Sequence, residues 1–175
     1  MLTLKEINDK KSKLQEEGFK DWRDNHNARG IFEWATGVGK TRLATHHAIQ
    51  GMNKKAPYAK IKVVVPKEHL KEDWEGVKGR KGYIQQYNLK NVEVWVINSF
   101  VRVRHIADFL IIDEIHRAGN EEAKYFNKVL EVCPARFIMG LSATLSKEQR
   151  LFFQEHRLYF LNDYLKTKYR RFLMA

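Results

Sequence analysis

The chain has 175 residues, 43% of them hydrophobic and 30% charged, with only three prolines. That is enough for one domain with one good core, and the absence of any run near 18 apolar residues excludes a helical membrane span. Thirty-two Lys and Arg against 21 Asp and Glu give a net charge of +11 and a pI near 9.7, an excess that points to a polyanionic partner, nucleic acid above all, with plain solubility as the alternative.

Met1 to Glu6 has no apolar signal core, so the expected setting is cytoplasmic or another intracellular compartment that holds nucleic acid. The single cysteine, Cys133, cannot form an internal disulfide and reads as a small buried hydrophobe. The charge is unevenly spread. Residues 1–28 carry six basic and six acidic side chains, whereas residues 147–175 carry seven basic and three acidic ones.

In chain order, Thr3-x-x-Glu6 is a capping box, so a helix is expected from about residue 4 to 17, stopping at Gly18. Its apolar stripe of Leu4, Ile7 and Leu14 is thin and suggests a surface helix. Residues 18–28 read as a polar turn. Arg29 to Trp34 has strand character, and a helix from Thr41 to Gln50 is expected to end at Gly51. Ile61 to Val65 is a strand closed by Pro66, followed by a helix from Lys67 to about Val77. Val92 to Ile97, Asp108 to Asp113 and Arg136 to Leu141 are further strands. A helix is expected over Gly119 to Glu131, and Ser146-x-x-Gln149 caps another. Alternating strands and helices predict an α/β fold, a three-layer parallel sheet with helices on both faces. Leu158, Leu161, Leu165 and Phe172 fall near helical spacing. They would pack on the domain's own core, or dock on a second domain or another chain.

Between the first strand and the helix that follows it lies Trp34-Ala-Thr-Gly-Val-Gly-Lys-Thr41. Glycines let backbone N–H groups close on phosphates, and the following helix adds its N-terminal dipole. Thr36, Gly37, Val38, Gly39, Lys40, Thr41 and Arg42 are therefore the candidate nucleotide-binding residues. Lys40 would reach the β- and γ-phosphates and Thr41 would hold Mg²⁺. Trp34 stands where the usual pattern has glycine. A run of four apolar residues, Phe109 to Ile112, ends in Asp113-Glu114, where an α/β sheet binds its ligands. Asp113 is the second candidate Mg²⁺ ligand, and Glu114 would orient the attacking water.

These segments resemble the first RecA-like domain of superfamily 2 helicases and translocases, a P-loop NTPase fold. Ala35 to Thr41 resembles motif I. Val63-Val-Val-Pro66 with Leu70 and Trp74 resembles motif Ia, and Val96 to Phe100 stands where motif Ib does. Asp113-Glu-Ile-His116 resembles motif II of the DEAD/DEAH type, and Gly140-Leu-Ser-Ala-Thr144 resembles motif III. Order and spacing agree across residues 29–145. The resemblance implies an ATP-binding and ATP-hydrolysing motor domain with ATP and Mg²⁺ as cofactors. Lys40, Asp113, Glu114 and His116 would be catalytic. His116 would link the nucleotide to motif III, with Ser142 and Thr144 relaying hydrolysis to nucleic acid.

The domain division expected on this basis is a helix and connector at 1–28, the RecA-like domain at 29–145 and a basic helical segment at 146–175. A second RecA-like domain, the family's source of arginine fingers, would be supplied in cis or in trans. Upstream of the loop the family's glutamine motif has no clear match, since Gln15 is flanked by Leu14, Glu16 and Glu17. For nucleic acid, DNA before RNA, the candidates are Lys78, Arg80 and Lys81 in a glycine-rich stretch with Tyr83 and Tyr87, and Arg102 and Arg104 after motif Ib. The competing functions are a P-loop phosphotransferase and a binding module that uses its nucleotide state to recruit partners.

Overall fold

The structure is a computed structural model that describes residues 1–35, 37–114, 125, 128–155 and 159–160. The chain enters through helix α1 (Leu4–Asn25), then β1 (Arg29–Glu33) and a long helix α2 (residues 40–55). β2 (Ile61–Val65), α3 (Glu68–Glu75) and the short α4 (Tyr83–Gln86) follow. Next come β3 (Val92–Val96), the single turn α5 (Ile97–Phe100) and β4 (Phe109–Ile112). Residues 128–132 are helical (α6) and lead to β5 (Phe137–Ser142), α7 (Lys147–Glu155) and β6 (Tyr159–Phe160).

The strands form one sheet in the order β3-β2-β4-β5-β1-β6, and every pairing is parallel. β2, β4 and β1 are almost wholly buried. Period-two alternation therefore sends Phe32, Val63, Val65, Phe109, Ile111 and Met139 to a core under α1, α2 and α3. It sends Ile31, Val64, Leu110, Ile112 and Ile138 to a second core that contains Phe100, Val129 and Cys133. Cys133 is fully buried, and burial raises its thiol pKa. The sheet is thus flanked on both faces, as the alternation of elements predicts.

Three expectations need correction, each for a physical reason. The first concerns α1, which does not stop at Gly18 but runs through Asn25, where Asn27 and Ala28 turn the chain with φ near +55°. Its buried positions are Gln15, Gly18 and Trp22, so the inward stripe is not the Leu4–Ile7–Leu14 line, and Leu4 is exposed. Trp22 donates its indole N–H to the Ile138 carbonyl at 3.0 Å and packs on Phe109. Residues 18–25 are therefore helix rather than turn.

The second correction concerns α2, which passes through Gly51 to Lys55 and is π-helical over Leu43–Ile49. The third is the C-terminal stretch. Its capped helix forms, with reciprocal Ser146 and Gln149 bonds, but Tyr159–Phe160 is a strand beside β1 rather than helix. Leu158, Leu161, Leu165 and Phe172 lie outside the described residues, as does most of the helix expected over 119–131.

The two glycines that read as helix stops serve opposite ends. A Cβ on Gly18 would sit 2.6 Å from the Trp34 ring, so the helix can lie on Trp34 only with glycine there. A Cβ on Gly51 would meet nothing within 4 Å. Gly51→Ala should therefore stabilise the chain by about 0.5–1 kcal/mol through lower unfolded-state entropy. Gly18→Ala should instead destabilise it by about 1–3 kcal/mol, because the clash outweighs the helix preference. Urea unfolding of the two variants checks the sign in each case.

Candidate functional site

Because all strands are parallel, their C-terminal ends share one edge of the sheet. That edge carries Trp34 to Thr41 after β1, Asp113-Glu114 after β4 and the end of β5 at Ser142. Backbone bonds tie the loop to the end of β5 and the acidic pair to β2. The Trp34 N–H donates to the Ser142 carbonyl at 2.9 Å, and the Asp113 N–H donates to the Val64 carbonyl at 2.9 Å.

The loop takes the form that its glycines allow. Gly37 and Gly39 have φ of 89° and 96°, and α2 begins at Lys40. The Lys40 ammonium donates to the Trp34 carbonyl at 3.0 Å, folded back across the loop. Trp34, where glycine was expected, is 2% exposed. Its ring meets Phe32 edge-on and rests on Gly18, so the side chain belongs to the core while its backbone serves the loop. Val38 is buried, while Thr41 and Arg42 sit on the first turn of the helix. Thr36 lies outside the described residues.

Gln15 had no evident place in the sequence, yet it is 3% exposed and reaches this loop from α1. Its Nε2 donates to the Val38 carbonyl at 2.9 Å. A carbonyl there needs a donor, and that assigns the amide's orientation. Its Oε1 is then a buried acceptor without a partner among the described residues, an arrangement that costs free energy until a donor arrives. The helical spacing from Gln15 to Gly18 and Trp22 was the available signal, hidden because neither glutamine nor glycine scores as apolar.

Asp113 is 5% exposed, and burial pushes its carboxyl up to about 7. A bond from the Trp74 indole N–H, 2.9 Å from Oδ2, acts against that rise, as do the Glu114 backbone and the Lys40 charge. The Glu114 charge adds to it. Glu114 itself has φ of 56°, a left-handed conformation unusual for a residue with a Cβ. A buried carboxylate held off its ordinary pKa suits a cation, which would replace the missing solvation. A hydroxyl and a carboxylate are oxygen donors of the kind magnesium takes, one or two from the protein with phosphates and water. Thr41 and Asp113 would be those ligands.

Ser142 is buried, and its hydroxyl donates to the Thr144 carbonyl at 3.1 Å, which folds the Ser142-Ala-Thr144 turn on itself. His116 lies outside the described residues.

The basic candidates fall in two places. Lys78, Arg80 and Lys81 are exposed on a tight loop closed by the Val77 and Arg80 backbones. A Cβ on Gly82 would lie 2.3 Å from the Gly76 nitrogen, so the neck of this loop is pinched shut. Arg80 also pairs with Asp73 at 3.0 Å. Tyr83 and Tyr87, expected to be free to stack on bases, instead pack against the core with Ile84, and Tyr83 meets Trp74 edge-on at 5.4 Å. Arg102 and Arg104 are exposed on the segment that runs from the end of α5 back to the start of β4.

A phosphate-type loop and an acidic pair at one edge of a parallel sheet, with Ser-Ala-Thr one strand away, define a P-loop NTPase domain of the RecA-like, superfamily 2 helicase type. Consistent with this, the chain belongs to the family described as "Type III restriction enzyme, res subunit", whose model matches residues 8–102 and 96–147. Its fold is similar to that of the UvsW helicase from Bacteriophage T4, at 15% identity and a TM-score of 0.58 over 86% of this chain and 59% of that one. The Sulfolobus solfataricus SWI2/SNF2 ATPase core in complex with dsDNA is similar at 19% identity and a TM-score of 0.62, over 82% of this chain and 34% of that one. The Pyrococcus furiosus Hef helicase domain matches at 15% identity and a TM-score of 0.54, over 85% and 37%. The chain thus spans between about a third and three fifths of these structures. A comparison with curated protein sequences finds no match. Among the described residues no helix is long and apolar enough to cross a membrane.

Proposed function

We propose that the domain binds Mg²⁺–ATP at the C-terminal edge of its sheet and hydrolyses it as the first motor domain of a helicase or translocase acting on nucleic acid, DNA in the first place. The observation that carries this reading is the placement of Lys40, on a loop with two left-handed glycines, at the same sheet edge as the buried Asp113.

In this reading the loop N–H groups and Lys40 take the phosphates, and Thr41 and Asp113 hold the cation. Glu114 holds the attacking water, and Mg²⁺ neutralises charge that develops on the phosphates. Ser142 and Thr144 pass the nucleotide state to the nucleic acid, and Lys78, Lys81, Arg102 and Arg104 take its phosphates, with Arg80 shared with Asp73. A second RecA-like domain, in cis or in trans, supplies the arginine fingers.

Two substitutions test the reading. Lys40→Ala should weaken ATP–Mg²⁺ binding at least tenfold in calorimetry while circular dichroism stays unchanged. Glu114→Gln should keep binding and abolish hydrolysis, because Glu114 acts on the water and not on the ground-state phosphates. Equal affinity in Lys40→Ala would remove the phosphate-loop assignment. Normal turnover in Glu114→Gln would move the base elsewhere. Wild-type turnover by the domain alone should fall far below the ~1–100 s⁻¹ of phosphoryl-transfer enzymes.

A further inference from the structure

One candidate Mg²⁺ ligand, Asp113, is held by a short stretch of chain that carries two aromatic residues. Trp74, at the end of α3, is fully buried and donates its indole N–H to Asp113 Oδ2 at 2.9 Å. Tyr83, at the start of α4, is partly buried and packs on the Trp74 ring. The two rings meet edge-on, with centroids 5.4 Å apart and an interplanar angle of 84°. The pinch at Gly76 and Gly82 brings their backbones side by side, since a Cβ on Gly82 would also lie 2.3 Å from the Trp74 carbonyl.

We propose that Trp74 and Tyr83 are positioning residues for the metal: Trp74 holds the Asp113 carboxylate in the orientation that accepts Mg²⁺, and the Tyr83 ring holds Trp74 in place. The proposal rests on the nucleotide reading above. The physical reasoning is local. A carboxylate can turn about its terminal bond, and the indole N–H pins one oxygen so that the other points in a fixed direction. A buried indole N–H must have a partner, so Trp74 and Asp113 constrain each other. Partners of this kind around metal ligands typically change metal affinity 10–100-fold when removed. The bland alternative is that Trp74 is a core residue that merely satisfies its N–H on the nearest acceptor, in which case it would affect stability and not the metal.

The experiment uses the whole chain with ADP as nucleotide and Mn²⁺ as the metal probe, read by electron paramagnetic resonance. ADP affinity is measured separately in chelator by calorimetry. Trp74→Phe deletes the indole donor and keeps an aromatic ring, and Tyr83→Leu removes the ring that meets Trp74 edge-on. We expect each variant to bind Mn²⁺ in the ADP complex about tenfold or more weakly, while ADP affinity in chelator stays within twofold of wild type. If Trp74→Phe fails to fold, Tyr83→Leu decides the matter through the same Mn²⁺ measurement. Unchanged Mn²⁺ affinity in the variants that fold overturns the proposal and leaves the nucleotide reading standing. No ADP binding by the wild type in chelator overturns the nucleotide reading and this proposal with it.

Discussion

Asp113→Asn should make the nucleotide-free domain more stable while it destroys the response to Mg²⁺. Burial holds the Asp113 carboxyl near 7, against 3.8 for the free side chain. Between those values the folded chain keeps a proton that the unfolded chain has released. Its contribution to stability is therefore full below about pH 4 and is lost as pH rises to 7, and above 7 the buried charge is a net cost. At about 1.36 kcal/mol per pKa unit, the cost at pH 8 is at most about 4 kcal/mol.

Asparagine removes the charge and still offers an oxygen to the Trp74 indole. Urea unfolding at pH 8 should show Asp113→Asn more stable by about 2–4 kcal/mol, with the gap shrinking at pH 5. Mg²⁺ should then add nothing to nucleotide affinity. A variant less stable than wild type at pH 8 would show that the carboxylate is not the strained group described here. Such a trade between stability and function is common where a site demands an unfavourable charge.

Arg150→Ala should be among the most destabilising changes available outside the two cores. Glu33, the last residue of β1, is 0% exposed, and Arg150 from α7 meets its Oε1 at 2.6 Å. Breaking a buried pair from one side costs about 3–5 kcal/mol because a charge stays behind in the interior. The Arg150 side chain is 41% exposed, which lowers the expected loss to about 2–3 kcal/mol. Adding Glu33→Gln to Arg150→Ala should recover a good part of it, and a double-mutant cycle measures the coupling. Additive losses would mean that Arg150 matters only for packing α7. Since Glu33 immediately precedes Trp34, nucleotide affinity in Arg150→Ala reports whether α7 also holds the loop in place.

The five longer strands were legible because each is a short apolar or β-branched run between turn signals, and their boundaries shift by a residue or so. The glycine loop and the acidic pair were legible as candidates because each is a motif local in sequence. What could not be read is what depends on tertiary approach. Gly18 looks like a helix stop until the Trp34 ring is seen against it. Gln15 and Val38 are 23 residues apart, and Trp74 and Asp113 are 39 apart. No window or period connects such pairs. Tyr83 and Tyr87 beside lysines suggested a base-stacking surface, and only the fold shows that their rings serve the core. Strand order is likewise a property of the packed sheet, not of any one segment.

The pinched neck between Gly76 and Gly82 bears on how such a domain could diversify. Everything outside the neck, from Val77 to Lys81, is exposed, while Trp74 and Tyr83 just inside it are fixed by the core. Loop closure that the neck already provides makes added length inexpensive in entropy, and exposed tips tolerate insertion best. The neck is thus a port: a longer finger, a reporter peptide or a different binding loop could be grafted there while the geometry at the sheet edge stays as it is.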